Sequence, residues 1–102
     1  MKIAIATEDA DISSEVSTQG ARALHYLIFD GSGDLEEIIA NPYVSNEKNV
    51  GPSVASLLAQ MGVNKVVAGR FGPKFKEVLE QNKIECIVNT GFAALLVKDL
   101  IQ

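Results

Sequence analysis

Three short glycine-containing turns are the segments of this sequence best suited to binding a ligand. They are Gly51-Pro52, Gly69-Arg-Phe-Gly72 and Asn89-Thr-Gly91. Glycine leaves backbone N–H groups accessible at the start of a helix, where the helix dipole favours an anion. The turns therefore predict a site for a small anionic ligand, although glycine and proline that only cap helices would give the same pattern. Arg70 could hold the anion or simply be solvated in its turn.

Metal-binding and nucleophilic side chains are few. His25 is the only histidine and Cys86 the only cysteine, so the sequence has no conventional zinc or iron–sulfur motif. A metal site would need unusual ligands or a second subunit. His25 lies within an apolar pattern and Cys86 lies in the strand-like segment IECIV, so both are interpreted as structural residues.

The carboxylates that could support a nuclease lie together in one loop. Glu8, Asp9, Asp11 and Glu15 all fall between the first two predicted strands. Two-metal nuclease chemistry needs carboxylates that converge from several parts of a sheet. The pattern therefore indicates a solvated acidic loop, and we expect a protein that is not an enzyme.

Alternating and continuous apolar runs predict three strands in the first half of the chain. The KIAIA run is the first strand, and a loop follows it to about Gly20. The next strand is apolar on both faces, which predicts a central position in the sheet. It is joined to the third strand by a glycine-rich turn, which is typical of a hairpin. The three predicted strands span Lys2–Ala6, Arg22–Phe29 and Leu35–Ala40.

The second half contains a near-repeat of a helix followed by a strand. Gly51-Pro52 recurs 21 residues later as Gly72-Pro73, and VNKVV recurs as IECIV. Apolar residues at i, i+3 and i+4 follow each proline, which is placed at the first helical position. The predicted elements are helices at Gly51–Gly62 and Gly91–Ile101, strands at Val63–Ala68 and Ile84–Val88, and a second helix from Pro73.

These elements predict one α/β domain over residues 1–102, with the order βββαβαβα. Right-handed crossovers place the parallel strands side by side, with the hairpin at the other edge. The expected architecture is a five-stranded mixed sheet in a ribonuclease H-like three-layer fold. Ligands of open α/β sheets bind beyond the carboxyl ends of the strands, where Thr7 and the three glycine turns would meet.

Composition excludes two classes of partner. Nine Lys and Arg residues against thirteen Asp and Glu residues give a formal charge of −4, so we expect no nucleic-acid partner. No apolar stretch approaches the roughly 18 residues of a membrane span. We therefore expect no membrane partner and a cytoplasmic location.

Several longer stretches resemble a known family. The chain begins MKIAIAT, its hairpin ends IIANP, and a helix ending AQMGV is followed by VVAGRFGPKFKEVLEQNKIECIV. Together they resemble the dinitrogenase iron–molybdenum cofactor biosynthesis domains, and Gly51 to Ile84 carry most of the likeness. The resemblance implies a ribonuclease H-like fold. In nitrogenase-associated members it also implies binding or carriage of an iron–sulfur or iron–molybdenum cluster during cofactor assembly.

One departure from the family pattern affects how a cluster could bind. The family often has His-Phe-Gly-Arg before its second strand, where this chain has Gln19-Gly-Ala-Arg22. Glutamine and glycine are poor ligands for soft metals, so we expect charge complementarity rather than metal ligation. The predicted cofactor-binding residues are Thr7, Gln19, Arg22, Gly51, Gly69, Arg70, Gly72 and Gly91.

The alternative prediction is a module that has lost cluster binding and serves a protein partner or another small anion. The helix predicted over Gly51–Gly62 contains no charged residue. It could therefore be buried on more than one side, either by neighbouring elements or in a homodimer.

Overall fold

A computed structural model describes residues 1–101 of the chain as five strands and three helices. The strands are β1 (Lys2–Thr7), β2 (His25–Asp30), β3 (Leu35–Ala40), β4 (Lys65–Ala68) and β5 (Glu85–Val88). The helices are α1 (Val50–Gln60), α2 (Pro73–Gln81) and α3 (Ala93–Leu100). None of these helices is long and apolar enough to cross a membrane.

The strands form one mixed sheet in the order β3-β2-β1-β4-β5. β1, β4 and β5 are parallel, and β2 is antiparallel to both β1 and β3. This confirms the predicted α/β class and the mixed five-stranded sheet, whereas the ribonuclease H-like assignment stays a prediction. Because the parallel strands point the same way, their carboxyl ends and the turns that follow them meet at one edge of the sheet.

The two faces of the sheet are covered differently. Alternation along β1 places Ala4 and Ala6 beneath α1 and α2, and places Ile3 and Ile5 beneath α3. Small side chains on the first face let two helices approach the sheet closely. Larger side chains on the second face fill the space that the single short helix α3 leaves. All four of these β1 residues are fully buried.

The predicted hairpin is confirmed, and its turn is held by one side chain. Asp30 Oδ1 accepts hydrogen bonds from the backbone N–H groups of Ser32 and Asp34, at 2.9 and 3.1 Å. Gly33 between them has φ 86°, a conformation that glycine adopts without steric cost. The strand it joins, β3, runs from Leu35 to Ala40 as predicted.

The second predicted strand begins too early. Arg22 to Leu24 lie outside β2, and Leu24 is 46% exposed rather than part of an apolar face. The Asn41 side-chain amide donates to the carbonyls of Ala21 and Ala23, at 2.8 and 2.9 Å. Side chains that bond to the backbone compete with a strand ladder, and the ladder here starts only at His25.

The helix and strand boundaries of the second half shift by one to two residues. α1 begins at Val50, so Pro52 is its third residue rather than its first, whereas Pro73 is the first residue of α2 as predicted. Both prolines still occupy positions whose N–H would have no partner inside the helix. β4 starts two residues later than predicted, at Lys65.

Candidate functional site

A cavity of about 550 Å³ opens where the starts of α1 and α2 meet the loop before β2. We call it the basic pocket. Three segments line it, and they come from distant parts of the chain. The lining residues are Gln19, Gly20, Ala21, Arg22, Val50, Gly51, Arg70, Gly72, Pro73, Lys74 and Phe75.

The starts of the two helices that line the pocket pack closely against each other. A Cβ atom at Gly51 would lie 3.0 Å from the backbone nitrogen of Phe75 and 3.2 Å from its Cα. Only glycine at position 51 lets the backbones approach this closely without displacing Phe75. The positive ends of two helix dipoles therefore lie side by side.

Among residues 1–101, no side chain caps either helix start, and neither helix has an acidic residue in its first turn. Within residues 1–101, the backbone N–H groups of Val50, Gly51, Lys74 and Phe75 have no hydrogen-bond acceptor. Helix starts are normally satisfied by a side chain, by water or by a ligand. Four free donors on two adjacent helix starts therefore favour an anion in this pocket.

Three cationic side chains add to this charge. Arg22, Arg70 and Lys74 line the pocket, all are exposed, and none forms a salt bridge with another described residue. None of the lining residues is acidic. Lys74 stands in the first turn of α2, where a cation is unfavourable to the helix dipole unless an anion lies nearby.

Arg22 is partly engaged in the protein itself. Its Nη1 atom donates to the carbonyls of Asn46 and Val44, at 3.1 and 3.4 Å. The guanidinium has further N–H donors, so it can tie the loop to residues 44–46 and still face an anion.

Five of the eight sequence-predicted site residues line the basic pocket, namely Gln19, Arg22, Gly51, Arg70 and Gly72. The other three lie outside its lining. The Thr7 hydroxyl is buried and donates to the carbonyl of Asp9 at 2.8 Å. The Gly69 N–H donates to the carbonyl of Ser17 at 2.8 Å, and the Gly91 carbonyl accepts from Val16. The groups at Thr7 and Gly69 that would have donated to a ligand are thus used within the fold.

Six of the eleven lining residues are absent from the sequence-predicted set, and the side chains of two of them, Lys74 and Phe75, shape the pocket. Lys74 could have been found, because a lysine directly after the proline that starts a helix opposes the helix dipole. Phe75 is fully buried and stacks on Phe71 with ring centroids 5.7 Å apart. Its apolar spacing identifies it as a core residue but gives no sign that it also forms the floor of a pocket.

A model of the dinitrogenase iron–molybdenum cofactor family matches residues 1–102. The chain belongs to this family. It is 32% identical over 88 residues to the uncharacterized protein MJ0580 of Methanocaldococcus jannaschii. The aligned region covers 83% of this chain and 71% of that protein. The family is associated with the iron–molybdenum cofactor of nitrogenase, so the predicted resemblance is confirmed.

Solved structures share the fold of this family member. The crystal structure of PH0822 has a TM-score of 0.82 at 21% identity, over 99% of this chain and 90% of that one. The apo orange protein of Desulfovibrio gigas has a TM-score of 0.85 at 20% identity, over 97% and 86%. A Thermotoga protein provisionally described as a NifB protein of the DUF35 family has a TM-score of 0.80 at 25% identity, over 97% and 87%.

The acidic loop lies in a separate groove. Glu8, Asp9, Asp11 and Glu15 line it together with Phe92. The Glu8 carboxylate accepts hydrogen bonds from the Ser17 hydroxyl and the Leu24 backbone, so it holds the loop in place. Hydrogen bonds from Ser13 lower the pKa of Asp11. Among residues 1–101, no group of three His, Cys, Asp or Glu side chains is placed to hold a metal ion.

The soft-metal ligands of the chain lie outside the pocket lining. Cys86 is a half-buried residue of β5, and burial raises the pKa of its thiol, which disfavours the thiolate that would bind a metal. His25 is the first residue of β2 rather than a mid-strand residue, and its Nδ1 lies 3.2 Å from the carbonyl oxygen of Glu8. The described pocket residues can therefore neutralise a ligand but offer no thiolate or imidazole to ligate a metal.

A buried tyrosine next to the pocket makes the stability of the protein depend on pH. Tyr26 is fully buried and its hydroxyl donates to the carbonyl of Gly20 at 2.5 Å. Burial, and secondarily the charge of Glu8, raises the pKa of Tyr26. A raised pKa of this kind stabilises the folded state below about pH 10, and the contribution is lost as the pH rises above that value.

We expect Tyr26→Phe to destabilise the protein by about 1–2 kcal/mol near neutral pH, because the Gly20 carbonyl loses its donor. The difference from wild type should shrink by about 1 kcal/mol between about pH 9 and pH 11, because only the wild type then loses the tyrosine contribution. Urea unfolding at a series of pH values would measure this. A difference that stays constant over that range would contradict the assigned pKa direction.

The outward face of α1 carries no charge. Ser53, Ser56, Leu57 and Gln60 line a shallow groove there with Tyr43. Leu57 is half-buried, and α1 packs against both α2 and the sheet. The predicted homodimer contact through this helix stays a prediction.

Proposed function

We propose that this protein binds and carries an anionic iron–molybdenum or iron–sulfur cluster, or its precursor, during metallocofactor assembly. In this proposal the protein is not an enzyme, and the cluster is its cargo. The observation that carries the proposal is the pair of adjacent helix starts in the basic pocket, where four N–H donors have no acceptor among residues 1–101.

Charge supports an anion of this class. Arg22, Arg70 and Lys74 line the same pocket, and none of its described lining residues is acidic. A hydrogen bond to a charged group contributes about 1.5–3 kcal/mol, so several such donors together can hold a multiply charged anion. Family membership directs the choice among anions toward a cluster related to the iron–molybdenum cofactor.

The chemistry of the pocket limits how the cluster would bind. No described pocket residue is a cysteine or histidine, and Gln19 stands where the family often has histidine. A cluster would therefore keep its own sulfide and terminal ligands and be held by hydrogen bonds and charge. Such binding is weakened by salt, since exposed charges are screened over about 8 Å at physiological ionic strength.

An anaerobic titration tests this function. The purified protein is mixed with a synthetic thiolate-ligated cubane iron–sulfur cluster and, separately, with isolated iron–molybdenum cofactor. Absorbance and metal content are then measured after gel filtration. We expect about one equivalent of at least one cluster to be retained, with less retention in high salt. Failure to retain either cluster in low salt would contradict the proposal and would favour the alternative role of a protein-interaction or small-anion module.

A further inference from the structure

One wall of the basic pocket is a loop without regular secondary structure. Gln19, Gly20, Ala21 and Arg22 form it, and we call this segment the pocket wall. It contributes Arg22, and Gly20 packs directly against the turn that carries Arg70. Loops of this kind are usually mobile unless side chains tie them down.

The first tie is the Tyr26 hydroxyl. It donates to the Gly20 carbonyl at 2.5 Å from within the core, beneath the pocket. On the other side of Gly20, a Cβ atom would lie 2.7 Å from the Arg70 carbonyl oxygen and 2.9 Å from the Phe75 ring. The Gly20 residue is thus held between a buried hydroxyl and the start of α2.

The second tie is the Asn41 side chain. Its amide nitrogen donates to the carbonyls of Ala21 and Ala23, and its oxygen accepts from the Tyr43 backbone N–H at 2.9 Å. Asn41 is 5% exposed, so these bonds are shielded from water. A single buried amide therefore joins the pocket wall to the segment that leads toward α1.

We infer that Tyr26 and Asn41 are positioning residues for the anion site. This inference rests on the proposed function. Neither residue lines the pocket, but together they fix two consecutive carbonyls of its wall, Gly20 and Ala21, and hence the position of Arg22. Because the two ties hold the pocket wall in place before binding, little conformational entropy is lost when the anion binds. The ties therefore raise the affinity by preorganisation.

The test compares Tyr26→Phe with a matched control in the same chain. Tyr43 is the only other tyrosine, and within residues 1–101 its hydroxyl makes no hydrogen bond, so Tyr43→Phe removes the same atom without a tie. Affinity is measured by anaerobic titration with the cluster that the wild type retains. We expect Tyr26→Phe to raise the Kd about five- to tenfold and Tyr43→Phe to change it by less than about twofold.

Backbone ¹⁵N relaxation of the cluster-free proteins supplies a second readout. The order parameters of Gly20 to Arg22 should fall from about 0.85 to below about 0.6 in Tyr26→Phe, with the sheet unchanged. Asn41→Ser removes the second tie and should have the same two effects, and it replaces Tyr26→Phe if that variant does not fold.

The outcomes separate this inference from the function on which it rests. If the wild type binds and the Tyr26→Phe protein, shown to be folded, binds equally tightly, the positioning role is wrong while the proposed function stands. The same conclusion holds if Tyr43→Phe weakens binding as much as Tyr26→Phe. If the wild type binds neither cluster, the proposed function is wrong and the inference is overturned with it.

Discussion

Reversing the two charges at the start of α2 should abolish cluster binding. We expect the double variant Arg70→Glu and Lys74→Glu to raise the Kd at least about 100-fold, because two charge-assisted contacts of about 1.5–3 kcal/mol each are replaced by repulsion. Both residues line the basic pocket and both are exposed, so they can be changed without disturbing the core. The measurement is an anaerobic titration with the retained cluster.

The stability of the same variant distinguishes lost binding from lost folding. Lys74 lies in the first turn of α2, where glutamate interacts more favourably with the helix dipole by about 0.3–1 kcal/mol. The variant should therefore unfold in urea at a concentration equal to or above that of the wild type. Unchanged affinity in a folded variant would show that the cluster does not bind at this pocket.

A second pair of reversals controls for net charge. Lys83→Glu and Lys98→Glu together change the charge of the chain by the same amount. Lys83 follows α2 at its far end and Lys98 lies in the last turn of α3, so neither lines the basic pocket. This control should alter the Kd only slightly, because salt screens the interaction between these distant charges and the cluster. An equal loss of affinity in the control would mean that net charge, rather than the pocket, governs binding.

Replacing Gly20 by alanine should have the largest effect on stability among the single changes considered. The added Cβ would lie 2.7 Å from the carbonyl oxygen of Arg70 and 2.9 Å from the ring of Phe75. The nearest atom belongs to the backbone and the ring is buried, so neither can move cheaply. Overpacking of this kind costs about 1–3 kcal/mol in the free energy of unfolding.

Gly72→Ala is the matched control for that change. Gly72 also lines the pocket, but a Cβ there would meet no atom of residues 1–101 within 4 Å, and its φ of −69° and ψ of 154° suit alanine. We expect it to be neutral or to stabilise by about 0.4–1 kcal/mol, because alanine restricts the unfolded chain. Urea denaturation measures both variants. Equal stabilities for Gly20→Ala and Gly72→Ala would contradict the close packing between the pocket wall and α2.

The sequence predicts the scaffold of the pocket well because the relevant signals are local. Gly51-Pro52 and Gly72-Pro73 mark two helix starts, and the parallel order of β1, β4 and β5 brings such starts to one edge of the sheet. Spacing alone therefore predicts that the residues at these starts lie near one another, with Arg70 in the turn before the second start. The resemblance to the family added Gln19 and Arg22.

The pocket wall could not be predicted because long-range contacts determine its path. Hydrogen bonds from Tyr26 to Gly20 and from Asn41 to Ala21 and Ala23 hold the chain before His25, and β2 begins at His25, three residues later than the apolar pattern indicates. No periodicity encodes a side-chain amide that bonds carbonyls some twenty residues away. The local apolar pattern therefore predicts a β2 strand that is too long, and it does not predict the path of the pocket wall.

The sequence predicts where the helices start better than it predicts which backbone N–H groups are available to a ligand. Long-range contacts again decide the outcome. A glycine in a turn can offer its N–H to a ligand or use it within the fold, and the sequence does not distinguish the two. Gly69 donates to the Ser17 carbonyl, because the acidic loop folds back against this turn. The Gly51 N–H has no acceptor among residues 1–101, so it is available to a ligand, as predicted.

A ¹H–¹⁵N correlation spectrum recorded during anaerobic titration would show whether an anionic cluster binds at the two adjacent helix starts. We predict that the backbone amide signals of Val50, Gly51, Lys74 and Phe75 shift or broaden most, since these N–H groups of the basic pocket have no acceptor within residues 1–101. Signals that change most around Asp9 and Glu15 instead would place the cluster in the acidic groove and contradict binding at the helix starts.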